Sequence, residues 1–406
     1  MAINFNLVKK PKKEDDIEIH DDDDDISVEE KSSSSDDFAR KKMIRFMLII
    51  FGGAFLLLFV LYLASLVAGR SYTYADVEGI MKDAAKSYFS DYPDSLPQQD
   101  GSIVEVDVAN LVYAEKMKNL TEYLGEEILC TGTVQVEKSG TEYLYTPYLN
   151  CGDYYVTVEL YQKIVSQDNI VSSGYGLYAT NGGGYVFRGE EVNNYVQLGK
   201  GLWRIVKVNS NNNIVLISNE GVPYGQPWDN RYNEERLYEA GINQYNASRV
   251  KEYLDKTYKN PSAEDGEDLL SNGDKAKIVS YSVCTGKRTP TSEIKNNSEE
   301  CTQVLQDQKI GLLTLSDYLF ASVDPNCKSA KSKSCKNYNY LTMKEDWWLA
   351  TANREDTSTV FAVTRNGDVN AETAANYAIV RPVIYLNSRV LYKSGDGSLE
   401  KPYKVR

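Results

Sequence analysis

The sequence predicts an α+β protein: a single transmembrane helix, then a small α+β membrane-proximal module, then a distal domain of small antiparallel sheets. Three observations predict this. Residues 46–68, FMLIIFGGAFLLLFVLYLASLVA, contain no charge. Beyond them, short alternating segments separated by polar turns dominate, with a few stretches of helical period between them. All six cysteines lie on the far side of the apolar run. A chain of 406 residues has room for two folded domains beside a tail.

The apolar run comes first. At ~1.5 Å per residue it reaches about 34 Å as a helix, enough to cross a hydrocarbon core of about 30 Å. Arg40, Lys41, Lys42 and Arg45 precede it, whereas Arg70, then Asp76, Glu78 and Asp83, follow it. The excess of Lys and Arg before the helix predicts a cytoplasmic N-terminus and extracellular C-terminal domains. A secretory signal has a shorter apolar stretch and a short leader, so the reading is an uncleaved signal anchor. Residues 1–45 carry the block Asp21 to Asp25, the serines Ser32 to Ser35 and few large apolar side chains. This acidic cytoplasmic tail has too little to bury to offset its chain entropy and is expected to be disordered.

Composition removes several chemistries. Asp plus Glu number 58 against 45 for Lys plus Arg, a net charge of −13 that argues against nucleic-acid binding. The one histidine, His20, lies in the tail, so the folded part can form neither a Ser-His-Asp triad nor a His-ligated zinc site. Cys130, Cys151, Cys284, Cys301, Cys327 and Cys335 are even in number and contain no Cys-x-x-Cys, which reads as disulfides in an oxidising compartment. Many connectivities are open; pairing in chain order is favoured, because Cys130 and Cys151 flank a hairpin and the other four sit in polar stretches.

The proximal module is assigned to residues 71–165. Thr73 and Asp76 form a capping box, and Val77, Met81, Ala84, Ala85 and Tyr88 share a face, predicting a helix over 75–90. A second helix is expected over 107–124, capped by Asp107 and stopped at Gly125. Thr133 to Val136 and Tyr143 to Tyr148 then form a hairpin through Ser139-Gly140. AAKSYFS, the CTG pattern and YTPYLNCG resemble a small module found after membrane helices in Gram-positive-type surface proteins and similar to pilin-like proteins. The pilin processing site does not accompany it: the span begins Met43-Ile44-Arg45-Phe46.

The distal domain is assigned to residues 183–406, after a turn at Asn181 to Gly184. Strands are expected over 203–208 and 214–218 around an Asn-rich turn. A helix is expected over 246–258, a buried strand over 310–315, a short helical piece over 316–322, and several strands over 347–387. LWRIVKV, NIVLIS, NASRVKEYLD, IGLLTLSDY, WWLATANRE, VFAVTRNGDVN and YAIVRPVIYLN follow one another in that order. This series resembles a family of bacterial surface domains of unknown function, itself similar to the formylglycine-generating-enzyme branch of the C-type-lectin-like fold. The resemblance implies small twisted antiparallel sheets whose long loops present a ligand platform.

Formylglycine-generating activity needs a reactive cysteine pair near the C-terminal core, and no cysteine follows Cys335. The expectation is therefore a non-catalytic, membrane-anchored surface protein of ligand-binding or adhesion type, taking an unidentified protein or glycan. The alternatives are a sulfatase-modifying-type enzyme homologue and a structural spacer of an envelope assembly. Trp203, Trp348 and Arg381-Pro382 are read as structural, Arg381 as a paired buried guanidinium. The ligand-binding candidates are Trp228, Asp229, Asn230, Arg354, Arg365, Asn366, Asp368, Asn376 and Tyr377, because aromatic faces beside amides and carboxylates suit sugars and peptides. Asp229, Asp368 and neighbouring asparagines could also hold calcium through oxygen atoms, although no twelve-residue calcium loop is present.

Overall fold

The computed structural model describes residues 34–67, 72–222, 224–235, 240–259, 270–293 and 296–406. These belong to two compact units, Met1–Ser71 and Tyr72–Arg406. In the first, one helix is described, α1 (Ser34–Val67). It is long and apolar enough to cross a membrane, with the candidate span at Arg40–Phe59. The side chains from Met43 to Phe59 are all exposed. Residues 34–45 were expected in the disordered tail but form the opening turns of α1 instead. Once the apolar run has nucleated a helix, each added residue gains a hydrogen bond at little cost, so the helix extends through the polar flank. The rest of that tail, with His20 and the Asp21 to Asp25 block, lies outside the described residues, as does Arg70.

The second unit has a mixed α+β architecture of several small sheets around two hydrophobic cores. The smaller core is built by α2 (Tyr74–Asp91), β1 (Ile103–Asp107), α3 (Val108–Tyr113), α4 (Leu120–Leu124), β2 (Thr131–Ser139) and β3 (Glu142–Asn150). The strands form an antiparallel sheet in the order β1-β2-β3. The capping box closes as expected: Thr73 N–H donates to Asp76 Oδ2 at 2.8 Å, and Asp76 N–H to Thr73 Oγ1 at 3.2 Å. Val77, Met81, Ala84, Ala85 and Phe89 of α2 pack with Val134, Val136 and Leu149 of the sheet. Gly132 permits this approach, since a Cβ there would lie 2.7 Å from Met81 Cε. The helix expected over 107–124 is two helices. Glu115 takes a φ of 56° and Lys116 N–H bonds back to the Leu111 carbonyl, which ends α3. Asp107 occupies the N-cap position without a side-chain capping bond.

The larger core involves α5 (Leu160–Ile164), β4 (Gly176–Ala179), β5 (Tyr185–Arg188), β6 (Tyr195–Leu198), β7 (Gly201–Val208), β8 (Ile214–Ser218), β9 (Gln226–Pro227), α6 (Arg249–Lys259), α7 (Asn272–Lys275), β10 (Tyr281–Cys284), β11 (Val304–Gln308), α8 (Leu315–Ala321), β12 (Trp347–Ala352), β13 (Thr359–Val363), β14 (Val369–Thr373), β15 (Tyr377–Ala378), β16 (Val383–Leu386), β17 (Tyr392–Ser394) and β18 (Tyr403–Val405). The main sheet runs β16-β8-β7-β6-β18-β17, with the β4–β5 hairpin attached to β7. Both faces of β8 are covered, as its unbroken IVLIS run implies. A second, three-stranded sheet has the order β12-β13-β14.

The packing differs from the expected division at 165 and 183. Leu160, Ile164 and Leu177 lie in the larger core, and Asn181 to Gly184 is the turn of the β4–β5 hairpin rather than a boundary. The strand expected over 310–315 is also different. Its side chains are buried, but only Gly311 bridges Val383, and Leu313 uses its carbonyl to accept from Ala350 N–H. Segment 246–258 likewise divides into a 3₁₀ turn at Tyr245–Ala247 and α6, whose first turn is capped by Ser248 Oγ accepting from Lys251 N–H at 3.2 Å.

The cysteines pair in chain order, Cys130–Cys151, Cys284–Cys301 and Cys327–Cys335. The first joins the two ends of the β2–β3 hairpin. Ion pairs and hydrogen bonds join the two cores. Glu78, buried on α2, accepts from the Tyr155 hydroxyl at 2.9 Å and pairs with Arg406, while Arg389 Nε lies 2.8 Å from Glu137.

Candidate functional site

The nine loop residues proposed from sequence do not converge. Register places Val363 and Val369 beside Trp347 at one end of the β12–β14 sheet, and Thr359 and Thr373 near Ala352 at the other. Arg365, Asn366 and Asp368 belong to the first end; Arg354 and Asn376 belong to the second. Asn230, Asn366, Asn376 and Tyr377 are exposed. Arg365 is held by Asp346, which accepts from its backbone N–H at 2.7 Å and lies 3.2 Å from Nη2. Arg354 donates to the Lys287 carbonyl and lies 3.5 Å from Glu299.

Trp228 and Asp229 are corrections to the proposed ligand set. Trp228 has no exposed surface: its Nε1–H donates to the Leu349 carbonyl at 3.1 Å and its ring packs against Tyr245. Asp229 is equally buried and accepts from both the backbone and the guanidinium of Arg231. The QPWDN segment thus ties β9 to the β12 strand, and Trp348 Nε1–H donating to the Gln226 carbonyl at 2.8 Å reinforces the tie. Asp368 sits 3.3 Å from both Lys333 and Lys336. Each carboxylate put forward for calcium therefore faces a cation that already compensates its charge. Among the described residues no group of three His, Cys, Asp or Glu side chains could hold a metal.

A different place in the same domain has the features of a site. A cleft of about 580 Å³ is lined by Arg204 on β7, by the turn Asn219 to Val222 after β8, by Tyr224, by Tyr340 and Thr342 to Glu345 before β12, and by Ile379 and Arg381 between β15 and β16. Its size is in the range of small-ligand sites. Two arginines interrupt otherwise apolar sequences, LWRIV on β7 and IVRPV leading into β16, and both are buried.

Arg204 donates from Nε to Asn194 Oδ1 at 2.8 Å and from Nη1 to the Tyr195 hydroxyl at 2.9 Å. Its guanidinium lies 4.1 Å from the Tyr195 ring centroid and 4.8 Å from that of Tyr340. Arg381 donates from Nε to the Ser218 carbonyl at 3.0 Å and from Nη1 to the Leu341 carbonyl at 2.9 Å, and lies 4.8 Å from the Trp347 ring centroid. Arg381 is buried as the sequence suggested, but its partners are carbonyls and an aromatic face. Neither arginine has a carboxylate partner among the described residues. Burial, followed by repulsion from Arg204, pushes the Arg381 guanidinium down to about 9, which still leaves it cationic at neutral pH. Burial also lowers Arg204.

The cleft wall is conformationally constrained. Gly221 takes a φ of +82°, and a Cβ there would lie 2.5 Å from Ile379 Cγ2 and 2.8 Å from the Val380 carbonyl oxygen. Tyr224 has a φ of +65° and is 77% exposed, an uncommon state for an aromatic residue that leaves its ring in solvent beside two buried cations. The cleft of about 650 Å³ on the smaller core differs: its Lys118 is 3.3 Å from Glu122, and its Lys116 pairs with Asp91. Sequence reasoning passed over Arg204 and treated Arg381 as internally neutralised. The available signal is a cation inside each of two apolar runs.

No curated protein and no solved structure matches the chain. One family model does match, described as Domain of unknown function (DUF6273), over residues 211–388, an interval that includes every cleft-lining residue except Arg204.

Proposed function

We propose that this protein is a single-pass, membrane-anchored surface protein of bacterial type that binds a protein or glycan through its distal domain and is not catalytic. In this reading the N-terminus is cytoplasmic, the disulfide-bonded domains are extracellular, and the distal domain is C-type-lectin-like. The apolar run of α1, the basic cluster that precedes that run within the helix and three disulfides support the topology. Largely antiparallel sheets joined by long irregular segments support the fold assignment, although the main sheet has eight strands and pairs β18 with β6 in parallel.

The observation that carries binding is the cleft holding two buried guanidiniums without carboxylate partners among the described residues. Burying a cation costs several kcal/mol unless hydrogen bonds or an opposite charge offset it. Carbonyls and aromatic faces offset part of that cost here, and an incoming anionic group would offset more. Two measurements test the proposal. Protease added to intact cells should remove the region beyond α1 and spare the tail; cleavage of the tail with that region left intact would reverse the topology. The full-length chain in nanodiscs, applied to glycan and peptide arrays, should retain ligands, and absence of binding on both arrays would sink the binding role.

A further inference from the structure

We infer that the Arg204–Arg381 cleft recognises a carboxylated sugar, with the carboxylate at the two guanidiniums and the sugar body against Tyr224 and the rim. This inference rests on the binding role proposed above. Arg381 uses Nε and Nη1 toward protein carbonyls, while Nη2 has no protein acceptor among the described residues and is not among their fully enclosed unpartnered atoms. A planar, monoanionic carboxylate can accept from such a group with charge-assisted bonds.

The rim determines what accompanies that charge. Glu220, Lys344 and Glu345 are exposed around the cleft. Three cations and two carboxylates therefore line it, leaving an excess that one negative charge neutralises. A phosphate dianion or a run of sulfates would bring further negative charge toward Glu220 and Glu345. Sugar hydroxyls instead donate to those two carboxylates and can accept from the Asn219 amide. The exposed Tyr224 ring, held on its strained backbone, supplies the apolar face on which a pyranose ring stacks. An acidic peptide would also bring a carboxylate but lacks the closely spaced hydroxyl donors that match this rim.

The test uses the full-length chain in nanodiscs with four probes: an oligogalacturonate, its methyl ester, a sulfated oligosaccharide without carboxylates, and an oligoglutamate peptide. The oligogalacturonate should bind, and esterification should weaken it by roughly 30-fold or more, the loss of a charge-assisted contact. Y224A, which removes an exposed side chain, should weaken binding by about tenfold at unchanged thermal stability, corresponding to the loss of one stacking face. R204Q should remove most binding; R204K retains the charge, so it should bind less weakly than R204Q if its fold is intact. Binding unaffected by esterification, or unaffected by both Y224A and R204Q, would overturn the inference. So would preference for the sulfated sugar or the peptide, while leaving a binding role in place. If these probes and the arrays all fail to bind, the binding proposal itself falls and the inference falls with it.

Discussion

Arg288 and Arg381 are both enclosed within the larger domain, yet their surroundings differ. Arg288 has no exposed surface and lies 3.1 Å from Glu300, which is equally buried; Ser316 Oγ adds an acceptor to Arg288 Nη1 at 2.9 Å and itself donates to Glu300 Oε1 at 2.8 Å. Glu300 therefore returns to this guanidinium an opposite charge and fixes its geometry. Arg381 sits against two carbonyls, an indole and a cleft, with Arg204 as a second cation nearby. One arrangement is internally neutral, which is what a structural cross-brace requires. The other leaves positive charge where a molecule from outside can enter. The contrast teaches that enclosure alone does not make an arginine structural; the location of its counter-charge separates the two roles.

The largest effect should come from breaking the neutral arrangement. E300A removes the buried carboxylate that faces Arg288 and should cost about 3–5 kcal/mol, measured by denaturant unfolding of the full chain in detergent. A cost near zero would mean that Arg288 is no more dependent on its carboxylate than Arg381 is. The joint between the cores comes next. E78A removes the acceptor of Tyr155 and the partner of Arg406, and should cost about 2 kcal/mol while increasing hydrogen exchange in α2.

Removing the unmatched guanidinium should be milder for stability. R381M leaves no buried charge behind but strands the Ser218 and Leu341 carbonyls, for a loss of about 1–2 kcal/mol. Its binding defect should exceed what that loss explains. A destabilisation as large as that of E300A would assign Arg381 a bracing role.

Asp317 gives the comparison a pH dependence. Burial raises its carboxyl, but Lys207 at 2.6 Å and the Thr314 hydroxyl outweigh burial, so its pKa is lowered. A lowered acid stabilises the folded state above its unfolded value of about 4, and this stability is lost as pH falls through the folded value. Unfolding free energy should be flat near neutrality and decline below about pH 4, with D317N reducing the slope. The smallest effect should come from a chelator, which should leave stability and binding unchanged because Asp229 and Asp368 face Arg231, Lys333 and Lys336. Loss on chelation would return calcium to the account.

Features governed by neighbouring residues were legible in the sequence. The Thr73–Asp76 cap, the face of α2, the β2–β3 hairpin and the β7–β8 pair each follow from a period or a turn within a few residues. The break at Glu115 was not, because it depends on a positive φ that a run of helix-forming residues does not announce. Trp228 and Asp229 were misplaced for a related reason. QPWDN has the composition of an exposed loop, and only its pairing with β15 and the Leu349 carbonyl encloses it. The cleft is less legible still. Arg204, Tyr224, Tyr340 and Arg381 come from separate stretches of chain, and no local pattern reveals that neither arginine meets a carboxylate among the described residues.

The most direct test of the account is a crystal structure of the protein bound to an oligogalacturonate. The account predicts a uronate carboxylate within hydrogen-bonding distance of Arg381 Nη2, with a sugar ring over Tyr224. A sugar seated on the Arg354 or Arg365 loops, with the arginine cleft holding only water, would contradict it.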